Sequence, residues 1–272
     1  MVDATGRAVT IPAPPRRIVT IFASNTEIAV ALGLADRIVG IEAFTRYPPE
    51  ILDRPLVGGR LGFSVEAIVK LGADFVVMTP SRQAANQLVP PLARVGTPAV
   101  VLQTESVAAV FANMVLVGRA TGAEDAAARV TAALQARLDA VAKRLATRPP
   151  VRVYLETGST GRGGFATVRA NTYTADMLRM AGGVSVFGQD PAIAQVSGEA
   201  LITAAPDVIL VAGSEAQAAA VPGRVGWSTL PAVQRGAVFA MPRPLLLIPG
   251  PRIADGVERM ARVLHPDAFA AP

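Results

Sequence analysis

Ser64-Val65-Glu66-Ala67-Ile68-Val69-Lys70-Leu71-Gly72-Ala73-Asp74-Phe75-Val76-Val77 has a counterpart 133 positions on, Ser197-Gly198-Glu199-Ala200-Leu201-Ile202-Thr203-Ala204-Ala205-Pro206-Asp207-Val208-Ile209-Leu210. Ser, Glu, Ala and Asp recur in register without a gap. In each copy the Ser hydroxyl is placed to accept from a first-turn amide, and the Glu sits where the helix dipole favours negative charge. The Asp then precedes an apolar run that reads as a buried strand. A weaker echo links Asn25-Thr26 with Asn171-Thr172, each opening an apolar helix that stops at glycine. One supersecondary unit used twice predicts a duplication and two similar lobes.

Outward from the first copy, strands are predicted at 17–22, 38–41, 75–78 and 99–102. Helices are predicted from Ser24, with capping residues, to Leu32-Gly33, over 65–71, and over 83–95 despite Pro90-Pro91. This alternation predicts a parallel, doubly wound lobe over residues 1–106. From Val107 to Leu145 there is no proline, and Val130, Leu134, Leu138, Val141 and Leu145 recur at helical spacing. The stretch predicts one long inter-lobe α-helix over 107–148, with a break near Thr121-Gly122 and a stop at Pro149-Pro150. A second α/β lobe is expected over 149–272. Its strands are placed at 151–156, 208–212 and 238–241, and its helices at 173–181, 198–204 and 252–264. Ligand sites in such architectures lie at lobe interfaces, beyond the carboxyl ends of the strands.

Composition narrows the function. The chain has 272 residues, 51% of them apolar, which exceeds the needs of one typical core. No apolar run reaches the ~18 residues of a membrane helix. The absence of cysteine excludes disulfides, thiolate metal sites and a Cys nucleophile. His265 is the only histidine, expected at the surface after the last helix, so a His-based zinc site or a Ser-His-Asp triad has little to stand on. Lys and Arg number 26 against 21 acids, and only Lys70 and Lys143 are lysines. Arginine's planar fork suits carboxylate, phosphate and catecholate oxygens. No basic run points to nucleic acid. Gly161-Arg162-Gly163-Gly164 lacks the Lys-Ser/Thr of a phosphate loop and the spacing of a dinucleotide fingerprint. No acid–base pair stands out by spacing, so an enzyme is not expected. Met1 runs directly into Val2-Asp3-Ala4-Thr5-Gly6-Arg7 with no signal sequence, which reads as a cytosolic protein or as a mature form behind a start Met.

An ordered set of motifs then carries a resemblance. Asp3-Ala4-Thr5-Gly6-Arg7, Pro14-Pro15-Arg16-Arg17-Ile18-Val19, Ser24-Asn25-Thr26-Glu27, Tyr47-Pro48-Pro49, Val57-Gly58-Gly59 and Ser64-Val65-Glu66 follow one another in the first half. Thr174 to Gly183, Val196-Ser197-Gly198-Glu199, Pro206-Asp207-Val208-Ile209, Trp227 and Pro249-Gly250-Pro251-Arg252 follow in the second. Over nearly its whole length the chain resembles the ABC-importer binding proteins for ferric siderophores, haem and vitamin B12. The resemblance implies two Rossmann-like lobes bridged by one long helix and modest closure on the ligand. It also implies a place outside the cytoplasmic membrane, periplasmic or lipid-anchored, and a dimeric ABC permease with its ATPase subunits as partner. The binding protein itself is expected to be a monomer without a cofactor or resident metal. Glu66 and Glu199 match the family's pair of glutamates that salt-bridge to permease arginines, one per lobe.

The family's ligand loops map onto Asn25, Arg46, Tyr47, Arg60, Leu61, Phe63, Ser81, Arg82, Arg162, Arg169, Trp227 and Arg243. Six of these are arginines, and guanidiniums facing one cleft repel unless an anion sits among them. The expectation is therefore an anionic ferric siderophore, with Trp227 and Tyr47 near it. A corrinoid ranks second, on Ser24-Asn25-Thr26-Glu27 and Thr45-Arg46-Tyr47-Pro48-Pro49. Haem ranks third, through Tyr47 as an axial ligand, and a bare oxyanion such as molybdate also suits the arginines. Arg16 and Arg17, ahead of a strand, are expected to be plain surface charges.

Overall fold

In a computed structural model of the chain, which describes residues 1–79, 82–159, 163–188, 190 and 192–270 and leaves aside the side chains of Arg82 and Gln83, both copies of the repeat form capped helices. Ser64 Oγ accepts from Ala67 N at 3.0 Å and Ser197 Oγ from Ala200 N at 3.2 Å. The chain divides into two compact units. Unit 1 comprises Met1–Thr104 with Ala108–Leu134, and unit 2 comprises Glu105–Val107 with Gln135–Pro272.

Unit 1 contains β1 (Ile18–Ile21), α1 (Ala23–Ala31), β2 (Ile38–Ile41), a two-residue-strand hairpin β3–β4 (Gly58–Gly59 and Gly62–Phe63), α2 (Val65–Lys70), β5 (Phe75–Met78), α3 (Arg82–Arg94), β6 (Ala99–Val101) and α4 (Val107–Thr121). α5 (Glu124–Leu145) runs through the division between the units. Unit 2 continues with β7 (Val151–Ser159), β8 (Gly164–Thr167), α6 (Tyr173–Met180), β9 (Gly183–Ser185), β10 (Gln195–Ser197), α7 (Gly198–Ala204), β11 (Val208–Ala212), α8 (Glu215–Ala219), α9 (Pro231–Gln234), β12 (Val238–Met241), α10 (Arg243–Leu247), α11 (Ile253–Leu264) and α12 (Pro266–Phe269).

The duplication is explicit in the sheets. Unit 1 has strand order β2-β1-β5-β6, all parallel. Unit 2 repeats it as β9-β7-β11-β12, again parallel. The register agrees too: Ile18 stands opposite Phe75 as Val153 stands opposite Val208. A hydrogen bond is copied with the strands. Arg17 donates to Leu71 O at 2.7 and 3.0 Å, and Arg152 donates to Ala204 O at 2.6 Å, so each arginine satisfies a carbonyl at the end of its unit's capped helix. Arg17 is therefore more than the surface charge expected of it, although its side chain is exposed.

Unit 2 adds what the sequence did not disclose. β7 is nine residues long, and while its start pairs with β9, its end pairs with β8 in antiparallel fashion; β8 in turn pairs with β10. The sheet is thus a parallel core with an antiparallel extension. β1, β5 and β11 are buried along their whole length, as strands covered on both faces are, and the one polar residue among them, Thr20, pairs its hydroxyl with Thr26 at 2.7 Å. Each of their larger side chains contributes roughly 1.5–3 kcal/mol by leaving water. A Cβ at Gly40 in β2 would meet Leu71 Cδ1 and Val57 Cγ1 at 2.7 and 2.9 Å, so a larger residue there requires those side chains to shift.

The break expected near Thr121-Gly122 is present and complete: the 107–148 stretch is two helices, divided where Gly122 takes φ +70° and ends α4. Two other local expectations change. α1 starts at Ala23 and has no side-chain cap, so Asn25 lies within its first turn while Thr172 caps α6 from outside; the Asn-Thr echo is not one of equivalent positions. His265 is buried, not at the surface, with Nε2 3.1 Å from Gly182 O.

Candidate functional site

In a parallel sheet the carboxyl ends of the strands share one edge, and ligands bind beyond it. In unit 1 that edge is built by the segments after β1, β2 and β5. Asn25 is 1% exposed and fully engaged: Nδ2 donates to Ile21 O at 2.5 Å and Oδ1 accepts from Thr79 Oγ1 at 3.0 Å. The expectation that Asn25 touches the ligand is corrected by this burial; it ties the end of β1 to the end of β5. The residue it holds in place, Phe22, was not among the candidates. Phe22 has φ 81° and ψ 135°, a conformation that costs a non-glycine residue about 1–3 kcal/mol.

After β2, the buried carboxylate of Glu42 accepts from Phe44 N at 2.6 Å and from Thr45 Oγ1 at 2.8 Å. These bonds shape the loop that displays Arg46 and Tyr47, both exposed, the latter followed by a cis peptide to Pro48. Arg46 Nη1 donates to Ala43 O at 2.7 Å and to Thr45 O at 2.8 Å. Ala43 N bonds to Gly58 O at 2.9 Å, which seats the β3–β4 hairpin beside this loop. The hairpin tip is Arg60-Leu61, both exposed, and Phe63 at its base lies 6.2 Å from Phe22, ring centre to ring centre. Tyr47, Leu61, Phe63, Phe22 and Arg46 are thus gathered on the segments beyond one sheet edge.

In unit 2 the ends of β7 and β11 border a pocket of about 170 Å³ lined by Glu156, Ser159, Ala212, Gln217, Arg224 and Arg243, among others. Arg243, exposed at the start of α10, donates to Thr157 O at 2.7 Å and Ala212 O at 3.2 Å, so part of its donor fork is spent on backbone. Arg224 and Glu156 form a bidentate pair at 2.5 and 2.9 Å. The guanidinium lies over the rings of Phe165 and Trp227, 4.8 and 4.5 Å from their centres.

Trp227 corrects a second expectation. It is 1% exposed and packs on Tyr154 and Phe165 in the core of unit 2, where it presents no surface to a ligand. The Tyr154 hydroxyl is buried with no hydrogen-bond partner among the described residues, and burial, with Glu156's charge behind it, pushes its pKa up. Arg169 is exposed between β8 and α6, and its carbonyl accepts from Thr172 Oγ1 at 2.9 Å. Ser81 and Arg162 lie outside the described residues, as does the side chain of Arg82.

Glu66 and Glu199 are exposed in the first turns of α2 and α7. Glu199 is held below the ordinary glutamate range, first by its own amide and then by the Ser197 hydroxyl. Among the described residues no group of three or more acids or histidines is placed to hold a metal ion, and no helix is long and apolar enough to cross a membrane. Glu42, Glu156 and Arg224 escaped the sequence reading. An acid ending an apolar strand, as Glu156 does in Val153-Tyr154-Leu155-Glu156, was the one available signal.

Residues 18–245 match the family model described as periplasmic binding protein. Over 98% of its length the chain is 29% identical to the uncharacterized ABC transporter substrate-binding lipoprotein YvrC of Bacillus subtilis, covering 85% of that protein. It is 30% identical to the cobalamin-binding protein of Halobacterium salinarum, over 97% of this chain and 73% of that one. Among solved structures, the periplasmic heme-binding protein BhuT in complex with two hemes superposes with a TM-score of 0.79 at 27% identity, covering 93% of this chain and 99% of the other.

Proposed function

The chain belongs to the periplasmic binding protein family, and from that premise we propose that it captures a planar macrocyclic metal chelate, a corrinoid ahead of haem. As members of this family do, it binds rather than transforms its ligand; placed outside the cytoplasmic membrane, it is the substrate-binding protein of an ABC transporter and works with a permease and its ATPase. The observation that carries the corrinoid reading is how the arginines are used. Arg224 is neutralised by Glu156, and Arg46 and Arg243 spend donors on backbone carbonyls. Of the six arginines counted from the sequence, Arg46 and Arg243 therefore have fewer donors to offer an anion, while Arg224, the one paired with an acid, was not among the six. Unit 1 by itself carries a set of exposed large side chains, Phe22, Tyr47 and Leu61, suited to the flat face of a macrocycle. The relative named for cobalamin and the structural neighbour named for heme support the same class. A ferric siderophore remains the second reading, favoured by the exposed Arg60 and Arg169.

The ligand is proposed to rest on Arg46, Tyr47, Arg60, Leu61 and Phe63 of unit 1 and on Arg169 and Arg243 of unit 2, with Ser81, Arg82 and Arg162 completing the set. Glu66 and Glu199 are proposed to dock on basic residues of the permease, one from each unit. Thermal shift with cyanocobalamin, cobinamide, haemin, a ferric catecholate and molybdate tests the ligand class. A ligand at a hundred times its Kd stabilises the native state by about 2.7 kcal/mol. A shift with the ferric catecholate or molybdate alone would overturn the macrocycle reading.

A further inference from the structure

We propose that Phe22 is a ligand-contact residue that, with Phe63, packs on the apolar face of the bound chelate, and that Asn25 is the positioning residue that displays it. This rests on the macrocycle reading above and sharpens it to one residue.

Three features of Phe22 run against what folding alone favours. Its backbone has φ 81° and ψ 135°, a region that suits glycine and is an outlier for a bulky side chain. Among the described residues the two other non-glycine residues with positive φ are ordinary by comparison: Ala205, at φ 44°, closes a helix in the left-handed region, and Asn171, at φ 59°, is a residue type that tolerates it. The Phe22 side chain is 40% exposed, so burial of the ring does not offset the strain. Phe22 also occupies the N-cap of α1 without offering a side-chain acceptor, where Ser, Thr, Asp or Asn is preferred. Local choices that conflict with folding concentrate at functional sites.

The strain is held from below. Asn25 Nδ2 donates to Ile21 O at 2.5 Å, immediately before Phe22, while Asn25 N donates to Phe22 O at 3.0 Å. Thr79 Oγ1 donates to Asn25 Oδ1 at 3.0 Å, anchoring this clamp to the end of β5. The ring so displayed stands 6.2 Å from Phe63 at an interplanar angle of 49°, at the base of the hairpin that carries Leu61. A half-exposed aromatic pair beyond the carboxyl ends of parallel strands offers a flat, polarisable surface to a ring-shaped ligand.

The test is Phe22→Gly, read by apo melting temperature and by titration with cyanocobalamin and haemin. Glycine relieves the positive φ, so the apo protein is expected to melt no lower than the parent. Affinity for whichever probe binds is expected to fall about tenfold or more, the scale of one aromatic side chain withdrawn from an apolar contact. A purely structural Phe22 gives the opposite pattern, a lower melting temperature and unchanged affinity, and that result overturns the assignment. Phe22→Leu, which keeps bulk without the aromatic face, is expected to bind with intermediate affinity; binding equal to the parent's overturns the aromatic contact. Asn25→Ala is expected to weaken the same probe while Phe22 is present, and to add little in the Phe22→Gly background. Equal losses in both backgrounds overturn the positioning role. If neither probe binds the unmodified chain, the macrocycle reading falls and Phe22's role with it. Binding that Phe22→Gly leaves intact removes the Phe22 assignment alone.

Discussion

Glu156 and Arg224 stand 68 positions apart in the chain, yet they meet through two hydrogen bonds of 2.5 and 2.9 Å at the floor of the unit 2 pocket. The carboxylate side chain is almost wholly buried and the guanidinium about one-fifth exposed. An ion pair withdrawn from water this far is specified by geometry rather than by net gain, because the desolvation of both charges offsets much of their attraction. Its consequence is local neutrality: the arginine stacks over Trp227 and Phe165 as a flat plate and does not act as a bare cation awaiting an anion.

From that pairing, Glu156→Ala is expected to destabilise the protein by about 3 kcal/mol, because it leaves a guanidinium poorly solvated and unpaired. The double substitution Glu156→Leu with Arg224→Leu is expected to recover most of the loss. Urea denaturation of the single and double variants measures both. A double variant no more stable than Glu156→Ala would mean that the pair is a main source of unit 2 stability.

Trp227 is expected to report on folding and not on ligand. Trp227→Ala should cost about 3–5 kcal/mol, as for a large aromatic removed from a core. Trp227→Phe, which keeps most of the packing on Tyr154, should cost less and leave affinity for any bound chelate within a factor of about two to three. A large affinity loss in a Trp227→Phe protein of normal melting temperature would place the indole at the ligand instead.

The pairing of Arg137 with Glu258 at 2.8 Å and Asp255 at 2.6 Å gives a pH dependence. The hydrogen bond from Arg137 holds Glu258 below its ordinary value of 4.5. A carboxyl depressed in the folded state contributes stability that is complete above 4.5 and is lost as pH falls through its lower folded value. Arg137→Met is therefore expected to lower stability at pH 7 and to flatten its decline below about pH 4.5. Denaturant midpoints measured at pH 7, 4.5 and 3 decide it; parallel curves for parent and variant would leave Glu258 without this role.

How far the sequence could be read follows from which contacts are local. Ser64 and Ser197 cap their helices through bonds that span only three residues, and the strands that follow are continuous apolar runs, so the duplicated core was visible. β8, β9 and β10 were not, since Gly164-Phe165-Ala166-Thr167, Gly183-Val184-Ser185 and Gln195-Val196-Ser197 each hold one large apolar residue, unlike the equally short but almost wholly apolar β5 and β6. Within the site, residue type was legible but orientation was not. Asn25, Trp227 and Tyr47 were equally plausible as ligand contacts until burial separated the first two from the third. Phe22 needed a backbone angle, and Arg224 needed a partner 68 residues away.

Glu66 and Glu199 carry the last prediction. They hold the same place in two copies of one unit, each in the first turn of a Ser-capped helix, and both side chains are exposed. Among the described residues neither forms a salt bridge with this chain's own arginines, and Glu199 is kept ionised by its amide and by Ser197. A permease with two equivalent subunits offers two equivalent basic sites, and each unit supplies one carboxylate. Such exposed charges act mainly on orientation and encounter rate, and only weakly on folding. Glu66→Arg with Glu199→Arg is therefore expected to fold normally and bind its ligand with parental affinity while uptake falls sharply. Either reversal alone should give an intermediate loss, and raised salt should weaken the association of the parent with the permease. Uptake and ligand affinity must be measured on the same double variant. Parental uptake would reduce the two glutamates to helix-turn residues, and lost ligand binding would move them to the ligand site.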